Sequence, residues 1–485
     1  MTRLPILQPE DPPFEDGRHD SPPGKRSAQG GAADRRAAGD FTSPITAKVW
    51  IDTYGCQMNA HDSARMLGLM AEDGYTQTLD PDQADLLIIN SCSVREKAEH
   101  KLRSAAGKLK NVKKKNPAAV IALAGCVAQQ EGQALLDRIA HADLVVGPDH
   151  LVRLPELVAR VRHERVRLNE TLFVERQDYV FPRLSFGAQA DVSSYVSIMK
   201  GCDKFCSFCV VPMTRGREVC RDADEIVAEV RHLAERGTRE IILLGQTVNT
   251  YGARSVHGEI PFRKLLERVA EVEGVERIRF TSPHPADFTE EQILAFRDIE
   301  KLCPHMHLPV QSGSSSVLKA MRRGYTRERY LEIVDRFREV APEASLTTDI
   351  IVGFPGETLE DFEETLSLMR YVRYDGAFSF AYSERTGTRA VEVEEGVVDP
   401  EERRRRLFVL QQLQDEHTKE RLSAMVGRTY PVLFEGPSKS DPTKSSGRTG
   451  QNRVVHVDGQ VGRGVARMVE IREAYAHSLY GVLPA

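Results

Sequence analysis

From Lys48 onward the chain alternates short apolar runs with segments of helical period. The runs "KVWIDTYGC", "DLLIINSC", "VIALAGC" and "DLVVG" are nearly continuous rather than alternating, as expected of strands buried on both faces of a parallel sheet. Helical segments between them predict an open α/β domain over residues 46–165. A second series starts near Ser193, with strands expected in "YVSIMKGC", "EIILLGQ", "RIRFTS", "MHLPVQS", "TTDIIVGFPGE" and "GAFSFAYSERTG". Amphipathic segments such as "DADEIVAEVRHLAERG" and "RERYLEIVDRFREVAP" lie between these strands. About six β/α units predict a partial or full barrel over residues 188–420, with its site in the loops after the strands.

The two ends of the chain read differently. Residues 1–45 are rich in Pro, Gly and charge with no apolar period, so they cannot bury enough surface to offset the entropy of ordering, and a disordered tail is expected. The charged segment "EERRRRLFVLQQLQDEHTKERLSAM" predicts a helix in which Arg403 to Arg406 form a solvated face, with contact to RNA as the alternative. In residues 421–485, "GRTYPVLFEG", "GRTGQNRVVHV" and "GVARMVEIREAYAHSLYGVL" show short strands with Gly punctuation, which predict a small β-barrel.

Composition sharpens this picture in two places. The net charge of the 485 residues is -5, yet residues 421–485 hold nine Lys/Arg against five Asp/Glu, so positive charge is local to the last unit. No run approaches the roughly 18 to 20 apolar residues of a membrane span, and the polar, Pro-rich start is unlike a signal peptide. A cytoplasmic protein with no membrane partner is expected, so its eight cysteines point to metal binding or catalysis rather than to disulfides.

Six of the eight fall into two sets. Cys202, Cys206 and Cys209 form C-x3-C-x2-C, a loop that can wrap one compact inorganic core. Soft thiolates at this spacing select zinc or an iron–sulfur cluster. Zinc would want a fourth protein ligand, but no Cys or His lies close on either side, and Cys220 is eleven residues on. Cys56, Cys92 and Cys126, spaced 36 and 34 residues apart, each sit just past the carboxyl end of an expected strand. That edge of an open α/β sheet is where ligands bind, so the fold would gather all three at one rim. Scattered buried thiols are the alternative. Cys220 and Cys303 are expected to be unligated, and His305 and His307 to serve either the core or a cofactor.

The motif C-x3-C-x-aromatic-C, with Phe208 as the aromatic, resembles the radical S-adenosylmethionine (SAM) superfamily. The resemblance implies that three thiolates hold a four-iron four-sulfur cluster whose open iron takes the amino and carboxylate groups of SAM. It also implies SAM contacts at Gly245 and Gln246 in "LLGQTVNTYG", at Gln311 and Ser312 in "HLPVQSGS", and at Gly353, Pro355 and Gly356 in "DIIVGFPGET". "TYGCQMN", "NSCSVREKA", "AGC" and "GRTGQNRVVHV" resemble the methylthiotransferases of the MiaB type. That branch implies a fold of class α/β: an amino-terminal open parallel-sheet domain, a central radical SAM (β/α) barrel and a carboxyl-terminal small β-barrel, the TRAM domain.

The same resemblance implies an auxiliary four-iron four-sulfur cluster on Cys56, Cys92 and Cys126, and methylthiolation of carbon 2 of N6-isopentenyladenosine beside the anticodon of tRNA. The substrate would be unstacked from a single-stranded anticodon loop. Phosphates would be held by Arg428, Lys439, Lys444, Arg448, Arg453, Arg463 and Arg467, with His456 or Tyr475 stacking on a base. The expected state is a monomer served by an electron donor and a sulfur source. Competing readings are a methylthiotransferase for threonylcarbamoyl-adenosine tRNA or a ribosomal-protein aspartate, and an iron–sulfur RNA-binding protein without turnover.

Overall fold

The computed structural model describes residues 47–93, 96–182, 191–253, 260–393 and 395–484, so the tail expected over 1–45 lies outside the described residues. The first unit runs β1 (Ala47–Tyr54), α1 (Gln57–Glu72), β2 (Tyr75–Gln77), β3 (Leu86–Ser91), α2 (Glu96–Lys115), β4 (Val120–Gly125), α3 (Cys126–Arg138), β5 (Leu144–Val146), α4 (Leu154–Glu164) and β6 (Leu168–Glu170). All six strands pair in parallel, in the order β2-β1-β3-β4-β5-β6. β3 and β4 are buried at every position. Leu87, Ile89, Ile121 and Leu123 pack against Leu102, Leu109, Val127 and Leu135, while Leu86, Ile88, Val120 and Ala122 pack against Met66, Met70, Leu157 and Val161. Helices on both faces thus explain why the runs are continuous. The edge strands β2 and β6 were not legible, being three residues each with little burial. β6 carries the sheet past residue 165.

The central unit comprises β7 (Ser193–Ser197), β8 (Met199–Lys200), α5 (Val211–Thr214), β9 (Val219–Cys220), α6 (Ala223–Glu235), β10 (Glu240–Leu244), α7 (Phe262–Ala270), β11 (Arg277–Phe280), α8 (Glu290–Asp298), β12 (His305–His307), α9 (Ser315–Ala320), α10 (Arg327–Val340), β13 (Ser345–Val352), α11 (Leu359–Val372), β14 (Gly376–Ala381) and α12 (Pro400–Ser423). Its parallel strands form an arc: β7-β10-β11 and β12-β13-β14 are two sheets joined by a bridge between Ile278 and Leu302. The strand expected in "MHLPVQS" is only three residues long. Pro309 has no N–H to give a ladder, and Gln311 turns to a φ of 72°.

β15 (Thr429–Pro437), β16 (Lys444–Thr449), β17 (Val454–Asp458), β18 (Ala466–Ala474) and β19 (Leu479–Val482) close a barrel around Val432, Phe434, Val455 and Val469. The barrel seats on the amino ends of the arc's strands. Arg277 donates to the carbonyl oxygens of Arg448 (2.6 Å) and Pro431 (2.8 Å), and Arg279 to those of Thr449 (2.9 Å) and Gly450 (2.8 Å).

Two charged expectations are corrected here. Arg453, read as a phosphate contact, is largely covered and pairs with Asp375 at 2.6 Å, locking barrel to arc. Of the Arg403 to Arg406 run, Arg406 is buried on Glu357 (2.6 Å) and Arg403 donates to the Tyr382 carbonyl oxygen (3.0 Å), so half of that face is structural. Among the described residues no helix is long and apolar enough to cross a membrane.

The first unit joins the arc through buried charge. On α1, Arg65 pairs with Glu229 of α6, which also holds Arg221 at 2.7 Å; Asp62 pairs with Arg215 at 2.6 Å. Asp149 takes Lys200 at 2.5 Å. Burial alone would push the Glu229 carboxyl up, but Arg65 and Arg221 hold it below the ordinary carboxylate range. Removing one partner of such a pair leaves an uncompensated buried charge. Glu229→Gln, which strands two guanidiniums, is therefore expected to destabilise the docking of the two units by about 3 kcal/mol or more. The midpoint of the first urea transition of the apo chain measures this, with Lys115→Ala at the exposed Asp82 pair as a control that leaves it in place. An unmoved midpoint in Glu229→Gln would show that the network does not hold the units together.

Candidate functional site

Cys56 caps α1, Cys92 follows β3 and Cys126 opens α3, so adjacency of β1, β3 and β4 brings the three thiols to one rim. Their approach is closer than ordinary residues permit. A Cβ on Gly55 would stand 2.4 Å from Cys92 Cβ, and one on Gly125 would stand 2.3 Å from Asn90 Oδ1; both glycines have positive φ, 152° and 92°. Only glycine fits in front of each outer cysteine. Asn59 and Asn90, both fully buried, brace the rim: Asn59 Nδ2 donates to Asn90 Oδ1 (3.1 Å) and Asn90 Nδ2 to the Asn59 carbonyl oxygen (2.9 Å).

Cys92 is the central thiol. Its hydrogen bonds bring Cys56 down to about 5 and Cys126 down to about 7, with the Arg215 guanidinium acting in the same direction on both, while Cys92 itself goes up. Two sulfurs poised as thiolates are primed for a soft cation, and loading releases the remaining proton. Beside them the fully buried Ser93 Oγ has no hydrogen-bond partner among the described residues. Among the described residues no three His, Cys, Asp or Glu side chains are gathered round the position of one metal ion. Three thiol donors suit an iron–sulfur cluster, and suit zinc where a fourth ligand is added.

Cys202, Cys206 and Cys209 lie in a loop whose base is an antiparallel ribbon, with Met199 opposite Cys220 and Lys200 opposite Val219. The thiols are supplied with donors. Cys206 Sγ accepts from Arg323 Nη1 (3.3 Å), Cys202 Sγ accepts from the Lys204 N–H (3.4 Å), and Thr247 Oγ1 is 3.0 Å from Cys202 Sγ. Such bonds orient thiolate ligands and tune what they hold. Burial pushes Cys209 up to about 12 and raises Cys202, so loading must displace protons here too. Buried Cys303, raised to about 11 by burial, stands outside both sets.

The expected SAM residues divide. Gly245 and Gln246 precede Thr247 at the cysteine loop, and Gln246 Oε1 is buried without a partner among the described residues, as a waiting ligand contact would be. Arg323 also donates to the Pro309 carbonyl oxygen (3.1 Å), which draws the Gln311 segment toward Cys206. Ser312 is fully buried, its Oγ accepting from the Ser314 N–H (3.2 Å). Pro355 lines a cavity of about 370 Å³ with Ser207, Arg322, Phe354 and Arg389, whereas Gly353 lies under Arg403 and the Gly356 N–H donates to the Gly396 carbonyl oxygen (2.8 Å). Arg323, Thr247 and Arg215 were missed, since nothing marks one Arg among 66 Lys and Arg residues as sulfur-facing.

On the carboxyl barrel, Arg428, Lys439, Arg463 and Arg467 are exposed, and Lys444 and Arg448 half-buried. Arg428 pairs with Glu343 (2.9 Å), Arg448 with Glu435 (3.1 Å), Lys444 with Asp458 (3.8 Å) and Arg463 with Asp191. Surface pairs of this kind are easily exchanged for phosphate. Of the stacking candidates, Tyr475 is exposed and His456 half-buried.

Comparison with known proteins covers each unit. Residues 196–369 match the Radical SAM superfamily, residues 48–147 an uncharacterized protein family, UPF0004, and residues 423–483 the TRAM domain. The tRNA-2-methylthio-N(6)-dimethylallyladenosine synthase of Syntrophus aciditrophicus is 45% identical over 89% of this chain and 94% of its own, and that of Myxococcus xanthus is 48% identical over 90% and 93%. In fold, the chain is similar to the radical S-adenosylmethionine methyltransferase TsrM from Kitasatospora setae, with a TM-score of 0.52 at 15% identity, covering 69% of this chain and 73% of that one. Radical SAM membership brings with it a four-iron four-sulfur cluster and SAM. Matched across three units and nearly its full length, the chain belongs to the tRNA-2-methylthio-N(6)-dimethylallyladenosine synthase family of radical SAM enzymes.

Proposed function

We propose that the chain converts N6-isopentenyladenosine beside the anticodon of tRNA to its 2-methylthio derivative, with Cys202, Cys206 and Cys209 holding the SAM-binding cluster and Cys56, Cys92 and Cys126 an auxiliary four-iron four-sulfur cluster. The observation that carries this is one short turn touching both sets. Its Gly216 carbonyl oxygen accepts from the Cys202 N–H (3.1 Å), and its Arg215 pairs with Asp62 on the helix that Cys56 caps (2.6 Å). Two three-thiol sites on either side of one turn suit a reaction in which one must deliver what the other's substrate receives.

When bound, the groups supply a 5′-deoxyadenosyl radical able to take hydrogen from the unactivated carbon 2 and a methylated sulfur to replace it. The chain's own residues do the rest. Arg323 and the Lys204 N–H offset thiolate charge at Cys206 and Cys202, and Arg215 does so for the other set. Pro355 lines the cavity beside Ser207 of the cysteine loop. The exposed Arg428, Lys439, Arg463 and Arg467 hold tRNA phosphates, with Lys444 and Arg448 behind them, while Arg453 serves structure instead.

Anaerobic reconstituted protein given SAM, a low-potential reductant and isopentenylated tRNA lacking the methylthio group should yield a methylthio adduct on that nucleoside, read by mass analysis of the digest. 5′-Deoxyadenosine without the adduct would leave the radical half standing and overturn the substrate. For the barrel, Lys439→Ala combined with Arg467→Ala is expected to make the log–log salt slope of tRNA binding shallower by about 1.5 to 2. An unchanged slope would remove these residues from the interface.

A further inference from the structure

Strand register sorts the arc into two faces. Leu346, Ile350 and Val352 of β13 and Met306 of β12 pack into the helix-covered core, and fully buried Thr348 shares their face. Thr347, Asp349 and Ile351 alternate with these, so they line the concave, helix-free face. Pairing places Thr347 opposite His307, Asp349 opposite Phe378, and Ile351 opposite Phe380.

Phe378 and Phe380 are 58% and 43% exposed, although they stand inside the curve of a sheet. Two phenylalanines two residues apart on one concave face form a contiguous apolar patch rather than scattered surface residues, and such patches mark binding grooves. Polar groups stand at the foot of this wall. The His307 ring meets Phe378 edge-on with centroids 6.1 Å apart, its Nδ1 is 3.0 Å from Thr347 Oγ1, and its Nε2 is 3.5 Å from Asp349 Oδ2.

The two ends of the wall are also defined. Past Ile351 the chain enters Phe354 and Pro355, which line the cavity beside Ser207 of the cysteine loop. At the other end the carboxyl barrel closes the arc through Arg279 and through Ser345 Oγ, which donates to the Gln451 carbonyl oxygen (2.8 Å). Half-buried Arg448 of that barrel stands at this junction, its carbonyl oxygen accepting from Arg277 (2.6 Å) and its guanidinium paired with Glu435 (3.1 Å). An apolar wall with a cationic rim is complementary to a nucleotide whose base carries an apolar group and whose phosphate stays at the rim.

We infer that the Phe378–Phe380 wall is the platform for the target base: adenine stacks on the phenylalanines, its N6 dimethylallyl group lies along Phe380 and Ile351, and His307 and Asp349 face its polar atoms. This rests on the substrate reading above. It assigns recognition of the N6 group to the arc, while the carboxyl barrel supplies phosphate contacts common to all tRNA.

The test uses the reconstituted full-length protein and two anticodon stem-loop RNAs identical except for the dimethylallyl group on the target adenosine. Wild type should bind the modified RNA more tightly. Phe378→Ala and Phe380→Ala should each lower that preference by about tenfold, with loss of affinity for the unmodified RNA being smaller. Phe378→Tyr, which keeps the ring, should retain the preference, and circular dichroism and iron content report that each variant is folded. Full preference in both alanine variants would overturn the platform while leaving the substrate reading intact. No preference in wild type would overturn the substrate reading, and the platform with it.

Discussion

The pairing of α1 with the turn that follows the Cys202 loop is the contact on which the rest depends. Each cysteine set is built locally, one by three neighbouring strands and the other by a ribbon-closed loop, and neither sheet constrains the other. Their separation is set by Asp62 on Arg215, by Arg65 and Arg221 sharing Glu229, and by Asp149 on Lys200. Charges removed from water tolerate little displacement, because a slipped pair costs several kcal/mol of desolvation without its return. An apolar interface of similar area would leave more freedom to slide. A buried ionic contact is therefore suited to holding two sites in a fixed register, and Arg215 does so while also facing Cys56 and Cys126.

The carboxyl barrel is held differently. Arg277 and Arg279 donate to main-chain carbonyl oxygens of the barrel, which fixes orientation through geometry rather than through a matched negative side chain. Arg279 keeps its own counter-charge in Glu240 at 2.9 Å. The barrel thus covers the amino ends of the arc's strands, leaves their carboxyl ends to the cysteine loop, and keeps Arg428, Arg463 and Arg467 exposed.

Much of this was legible because strand burial and cysteine position coincide. The apolar runs end at Cys56, Cys92 and Cys126, so reading the strands also located the rim where these three thiols gather. What escaped the sequence had no local signal. β2, β6 and the β8–β9 ribbon are two or three residues long, shorter than any period can reveal. Arg453 looked like a phosphate contact because charge in a sequence does not say what faces it, and Arg406 looked solvated for the same reason. The alternation in "GAFSFA" announces a half-buried strand, but only the curvature of the arc shows that Phe378 and Phe380 stand on its concave side.

The proposed reaction needs two separate thiol-held clusters, one on each side of the turn that carries Arg215. The direct measurement is iron content with Mössbauer spectra on anaerobically reconstituted wild type and on two triple variants, Cys56→Ala/Cys92→Ala/Cys126→Ala and Cys202→Ala/Cys206→Ala/Cys209→Ala. The account predicts about eight irons per chain in wild type and about four in each variant, all in four-iron clusters. Iron unchanged by loss of the Cys56 set would contradict it, leaving that set without a cluster and the second half of the chemistry without a site.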